Sequence, residues 1–264
     1  MGNALLLEPL AMPSITASNT ASGYSAGNVG NDFMGLVWKS DAGAAARNIV
    51  IDLGADKPVD TIALFGLFGA QPGWQLSVDL ATSAQGAFGG SFTSGPTESL
   101  LAGSAMPVSE LGRALYRFVS PPPVSRYVRL NFSSLGSAAV QVSRAVICSA
   151  IQLDRNYQFG AAYGVRPLGT VDFSARGVLL RRRGKKLRGV GITFGSIYKD
   201  EVEEKVQPLL ERIGNDEPLC IVTDPDADAQ RQNRMWLGFL TGNLGTVHAR
   251  PGGFRADFNL VAID

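Results

Sequence analysis

Short apolar or alternating runs, each stopped by Gly, Pro, Ser or Asp, fill the first 150 residues and leave little room for anything but β-structure. The runs are Asn48–Leu53 (NIVIDL, stopped at Gly54), Thr61–Phe68 (TIALFGLF) and Gln75–Leu80 (QLSVDL). Leu115–Val119 leads into Pro121-Pro122-Pro123, and Arg126–Phe132 (RYVRLNF) and Val140–Ile147 (VQVSRAVI) complete the set. Segments of this length and spacing, bounded by turn formers, predict an antiparallel sandwich. The intervening stretch Ala81–Gly103 is rich in Gly, Ser and Thr and is expected to be a long surface loop.

Beyond residue 150 the pattern changes. Val178–Arg183 (VLLRRR) and Leu187–Phe194 (LRGVGITF) flank Gly184-Lys185-Lys186 and predict a hairpin with a basic tip. One amphipathic helix is expected over about 199–213, because Val202, Val206, Leu209, Leu210 and Ile213 fall on one stripe. Asp200, Glu201, Glu203 and Glu204 sit in its first turns, where they complement the helix dipole, and Gly214 is placed to end it. Pro208 inside the stripe predicts a kink or a broken start. Strands resume at Leu219–Val222, Met235–Leu240, Gly245–Ala249 and Arg255–Ala262. The expected fold class is therefore mainly β: a β-sandwich over 1–150, then a small α+β barrel-like domain with one helix over 151–264.

Formal net charge is +1 on 264 residues, so no global field directs the chain to nucleic acid or a membrane surface. No stretch approaches the roughly 20 apolar residues of a spanning helix, and Met1–Pro9 lacks a basic leader, so no signal peptide is expected. Cys148 and Cys220 lie in apolar runs and are expected as buried free thiols rather than a bridge. The chain is expected to be made in the cytoplasm.

Asp224-Pro225-Asp226-Ala227-Asp228 lacks the glycine and the distal glutamate of a calcium loop and predicts a turn. His248 is the single histidine, which leaves one possible donor for zinc or a triad; a structural role is expected for it, with no cofactor, no metal and no enzyme activity. A carboxylate pair assembled in space keeps a glycan-active enzyme open as a third reading.

Three ordered segments carry a family resemblance. Ser18…Tyr24-Ser25-Ala26-Gly27-Asn28-Val29, then Trp38-Lys39-Ser40-Asp41, then Asn48–Gly54 ending Asp-Leu-Gly, resemble the opening of discoidin (coagulation factor 5/8 type C) domains. Arg126-Tyr127-Val128-Arg129-Leu130 is similar to that family's penultimate strand. The chain departs from the family at Arg47-Asn48, where an aromatic residue is usual, and at Asn31-Asp32-Phe33, where an Asp-Gly step is usual. The resemblance implies a jelly roll whose loops at one end bind sugars, lipids or proteins. A sugar platform needs an aromatic face beside polar groups, and Trp38 with Lys39 and Asp41, or separately Trp74, could supply one. Each tryptophan has packing in the core as its alternative.

The second half resembles, in pattern, the hub proteins of long-tailed phage tails: a basic hairpin, one amphipathic helix (VEEKVQPLLERIG), then strands at 218–222 and 235–238. That resemblance implies a virion tail-tip component, a distal tail protein assembled as a homo-oligomeric ring, trimer or hexamer, with other tail proteins as partners and a host-surface glycan as ligand. In it, Arg181, Arg182, Arg183, Lys185, Lys186 and Arg188 would make subunit contacts. A solvated tip and a phosphate- or acid-binding tip are the alternatives, though no interleaved aromatics support single-strand nucleic-acid binding. A stand-alone carbohydrate-binding protein is the runner-up.

Overall fold

A computed structural model describes residues 2–118 and 122–263. The chain is mainly β and falls into two units, one of residues 1–152 with 220–235 and one of 153–219 with 236–264. Segment 220–235, read from sequence with the second half, thus belongs with the first.

The first unit is a jelly-roll sandwich of two antiparallel sheets. One sheet runs in the order Ser14–Ala17, Asn48–Pro58, Val124–Ser133, Gln75–Ala81, Thr93–Ser94, with Glu98–Ser99 also on the Gln75–Ala81 strand. The other places Thr61–Phe68 between Arg144–Cys148 and Leu111–Arg117. Alternation decides the faces: Ile49, Ile51 and Leu53 point into the core with Leu76, Val78, Leu80, Val128 and Leu130, against Ile62, Leu64, Ala145 and Ile147 of the facing sheet. On the margin of the unit, Leu5–Leu7 pairs with Ile151–Gln152 on one side and with residues 220–222 on the other.

Two strands run longer than their sequence suggests. Asn48–Pro58 does not stop at Gly54, which instead takes φ +79° at a shift in pairing with the Val124–Ser133 strand and lets the strand continue. In Thr61–Phe68, Gly66 has φ +73° at another pairing shift, and a Cβ there would lie 2.5 Å from Ser143 Cβ. Stretch 81–103 is not wholly a loop, since Thr93–Ser94 and Glu98–Ser99 join the sheet edge and Leu100 and Leu101 are buried. The continuation of Leu111–Arg117 to Val119 and the first of the three prolines lie outside the described residues.

In the second unit, Ala162–Pro167, Lys186–Ile197 and Gly253–Ala262 form consecutive antiparallel neighbours, and the far edge of the last is shared by residues 238–240 and Thr246–Arg250. All five stripe residues of the helix are buried. The helix is continuous over 199–213, and residues Val202–Val206 take π-type turns just before Pro208. Widening the turn removes the need for an N–H at the proline, so the expected break becomes a local loosening. Gly214 ends the helix at φ +49°, and buried Glu201 accepts the Asp154 N–H at 2.9 Å.

The expected hairpin across Gly184 is not formed. Leu179–Arg182 pairs with Thr170–Phe173, while Lys186–Ile197 pairs with Ala162–Pro167. Leu168 N–H donates to Lys185 O, joining the two ladders into one arm whose tip is residues 174–178. The basic run lies midway along the arm rather than at its tip.

Candidate functional site

The pairing Ala17↔Ile49, Asn131↔Asn48 and Ser133↔Gln75 gathers loops 18–47, 69–74 and 134–140 at one end of the sandwich. Three of the four expected ligand residues, Trp38, Lys39 and Asp41, lie within connection 18–47, and Trp74 precedes the Gln75–Ala81 strand.

Neither tryptophan is a platform. Trp38 is 0% exposed: its ring packs 5.8 Å from Phe132, and its Nε1–H faces Asn19 O and Thr20 Oγ1 at 3.3 Å. Trp74 is 6% exposed in the same core. For both, packing in the core is the alternative that holds, and at Trp38 the ring can be buried because its one donor has internal acceptors.

Asp41 is exposed and Lys39 half-buried, and a different aromatic side chain, Tyr24, meets Lys39 there. Tyr24 is exposed, with Lys39 Nζ 5.7 Å from its ring centre. Phe33 is 73% exposed on the same loop, near exposed Leu36. The loop that presents them is held from below. Asn28 Nδ2 donates to Val37 O at 2.9 Å, Asn31 Oδ1 accepts the Phe33 N–H at 2.8 Å, and Asp32 pairs with buried Arg144 at 3.0 Å. Asn19 Oδ1 accepts the Asp41 N–H at 2.9 Å, closing the loop's base. An exposed ring on an anchored loop with a cation beside it can stack a sugar's apolar face and hydrogen-bond its hydroxyls, and Asp41 follows two residues after that cation. Sequence reasoning passed over Tyr24 and Phe33. The signal was there: single aromatics set among Gly, Ser and Asn, with no alternating pattern to bury them.

A second aromatic cluster lies on the outer face of the larger sheet. Phe88 and Phe92 cover Arg129 at 4.4 and 4.8 Å, and Arg129 Nη2 pairs with Asp79 Oδ2 at 2.7 Å. Burial works to raise the Asp79 carboxyl, but hydrogen bonds from Ser94, Arg129 and Asn131 outweigh it and hold the group below its ordinary range. All these groups answer one another, so the cluster pins loop 82–95.

The basic residues divide. Arg188 lies 3.8 Å above the Trp236 ring, against which Tyr163 also stacks, so it packs at the arm's root. Arg181, Arg182, Arg183, Lys185 and Lys186 are exposed, and among the described residues no ion pair engages them. Four of them border an open cleft of about 430 Å3 on the arm.

Asp224 and Asp228 both turn onto Arg234, at 2.9 and 3.2 Å, which fixes the Asp-Pro-Asp turn. His248 stacks on Phe254 at 4.8 Å. Cys148 and Cys220 are buried and unbridged, and burial pushes the Cys148 thiol well up.

No family model matches the chain, and no curated protein matches it. Among solved structures it is similar to chitosan-binding module 1 of a chitosanase/glucanase from Paenibacillus sp. IK-5, at 15% identity over 54% of this chain and 99% of that one, TM-score 0.41. It is also similar to CBM32 of AlyQ in complex with 4,5-unsaturated mannuronic acid, at 17% identity over 53% of this chain and 96% of that one, TM-score 0.40. A third is CpGH89CBM32-4 produced by Clostridium perfringens, at 18% identity over 53% and 98%, TM-score 0.36.

Proposed function

We propose that the protein binds a glycan and is not an enzyme, with the sugar seated at the loop end of the first unit. One observation carries this reading: Tyr24 stands exposed on an anchored loop with the Lys39 ammonium beside it and Asp41 following. The ring supports a pyranose face, Phe33 supplies a second apolar wall, and Lys39 and Asp41 serve the hydroxyls. Sugar binding of this kind needs no titrating pair, no metal and no enclosed pocket.

The test is a glycan array with the full-length protein, followed by calorimetric titration of the best ligand. Tyr24→Ala is expected to weaken binding by about tenfold or more, the scale of one lost aromatic contact. Unchanged affinity in a Tyr24→Ala/Phe33→Ala double variant would overturn the assignment.

A second reading, a structural component of a phage tail tip resident in the virion, is favoured by one feature of the second unit. An arm with exposed strands, carrying Arg181, Arg182, Arg183, Lys185 and Lys186 that no ion pair engages among the described residues, suits a protein that self-assembles and meets neighbouring proteins. Negative-stain imaging of the purified protein tests it: a closed ring supports this reading, and a monomer at all concentrations rejects it.

A further inference from the structure

The arm has two faces, and their content differs. Antiparallel partners share a face, so Val171 lies with Arg181 and Phe173 with Leu179 on one side, and Thr170 with Arg182 and Asp172 with Leu180 on the other. Val171, Phe173 and Leu179 are all more than half exposed, at 66%, 64% and 54%. Beyond Leu168 the arm extends about seven residues a side, roughly 20 Å at 3.3 Å per residue. A monomer gains nothing from an apolar face held out in water at that distance; a partner that covers it does.

Charge selects the partner. Residues 162–191 carry eight arginines and lysines against one acid, Asp172. Two arms laid face to face would set like charges together, which disfavours a symmetric arm-to-arm contact. Residues 199–217, the helix and its exit, carry seven acids against three cations, and Asp200, Glu203, Glu204 and Glu211 point outward. Beside this helix runs an open groove of about 400 Å3, lined by Gln207, Leu210, Glu211, Leu244, Gly245 and Thr246. It combines two leucines with an acid, the complement of an arm face made of Phe173, Leu179 and Arg181.

We propose that the arm of one copy seats in this groove of a second copy, with Phe173 and Leu179 against Leu210 and Leu244 and Arg181 facing Glu211. The arm and the groove are different surfaces, so the contact is head-to-tail, giving a ring where the rotation between copies closes and a filament where it does not. The proposal rests on the self-assembly part of the second reading above and names the surfaces that would make it. A nucleic acid would satisfy the cations but offer nothing to Phe173 and Leu179, so a protein surface fits the whole face better.

The test uses full-length protein, with solution mass followed by light scattering over a concentration series. Wild type is expected to associate, and Arg181→Glu and Glu211→Lys are each expected to weaken association about tenfold, with the two combined recovering most of it. Leu244→Arg, at a half-buried loop position, is expected to give a folded monomer by circular dichroism. As a direct readout, Leu179→Cys mixed with Leu244→Cys should crosslink between copies with a short bifunctional maleimide. An oligomer indifferent to Arg181→Glu and Leu244→Arg, with no crosslink, would overturn the arm contact while leaving self-assembly standing. A wild-type monomer at all concentrations would overturn both, and one that also bound duplex DNA would reassign the arm to a polyanion.

Discussion

Arg113 and Gln232 stand 119 positions apart in the chain and are locked together inside the first unit: Gln232 Oε1 accepts the Arg113 N–H at 2.8 Å, and Arg113 Nη1 donates to Gln232 O at 2.7 Å. Arg113 also reaches Met235 O at 3.2 Å, and Gln232 Nε2 donates to Gly103 O. Arg113 is 1% exposed, and backbone oxygens of Gln232 and Met235 stand in for the water its guanidinium has lost.

Gln232→Ala should therefore be costly out of proportion to its size. It strips the Arg113 N–H of its acceptor and opens a hole beside a buried charge, and we expect a loss of about 2–4 kcal/mol. Urea unfolding followed by tryptophan fluorescence measures it; a loss below about 1 kcal/mol, the ordinary size for a surface change, would contradict the role assigned to the pair.

The two kinds of aromatic at the loop end should separate cleanly. Trp38→Ala removes a fully buried ring and is expected to cost about 3–5 kcal/mol of stability. Tyr24→Ala should leave the melting temperature nearly unchanged while lowering glycan affinity. Calorimetric scans of both variants beside a binding titration decide the matter, and destabilisation by Tyr24→Ala would count against its role at the surface.

Gly66→Ala combines left-handed backbone with a clash against Ser143 Cβ, a backbone-anchored atom that cannot swing away. We expect about 2–4 kcal/mol of destabilisation from the strain and the overpacking together. Adding Ser143→Gly should return the overpacking part but not the strain, which a double-mutant cycle in urea would show.

Acid stability should depend on Asp79 and Asp52. The hydrogen bond from Arg126 is the main cause that lowers the Asp52 carboxyl, and Asp79 is lowered by Ser94, Arg129 and Asn131 against its burial. A carboxylate held below its ordinary value binds its proton more weakly folded than unfolded. Its contribution is thus present above about pH 4, the unfolded range, and is lost as pH falls through the lowered folded value. Urea midpoints measured from pH 7 to pH 2 should fall on the acid side, and Asp79→Asn should flatten that fall.

What could be read from sequence follows what is buried. The helix stripe and most strands were legible because a core imposes period 3.6 or 2 on whatever faces it. Strand 162–167 carries Gly and Pro, and neither it nor strand 170–173 has a buried face, so nothing in their pattern announces them and the basic run reads as the tip of a different hairpin. Trp38 left two readings open for another reason: its surroundings in sequence are polar, yet Asn19 and Thr20 supply acceptors inside. Membership of 220–235 in the first unit had no local signal at all, since the groups that hold it, Arg113 and Leu5–Leu7, lie far upstream.

That late-arriving segment has a consequence for how the protein is made. A ribosome releases residue 152 well before residue 235, and at ordinary elongation rates the interval is on the order of ten seconds. Through it the nascent sandwich carries Arg113 without its acceptors and one edge of Leu5–Leu7 unpaired, while the arm and the helix emerge behind it. Expression of residues 1–152 alone would make that waiting state permanent, whereas joining 220–235 to it by a short linker would supply the missing piece. The first unit is begun first, yet it stays open until residue 235, after residues 153–219 of the second unit have already been made.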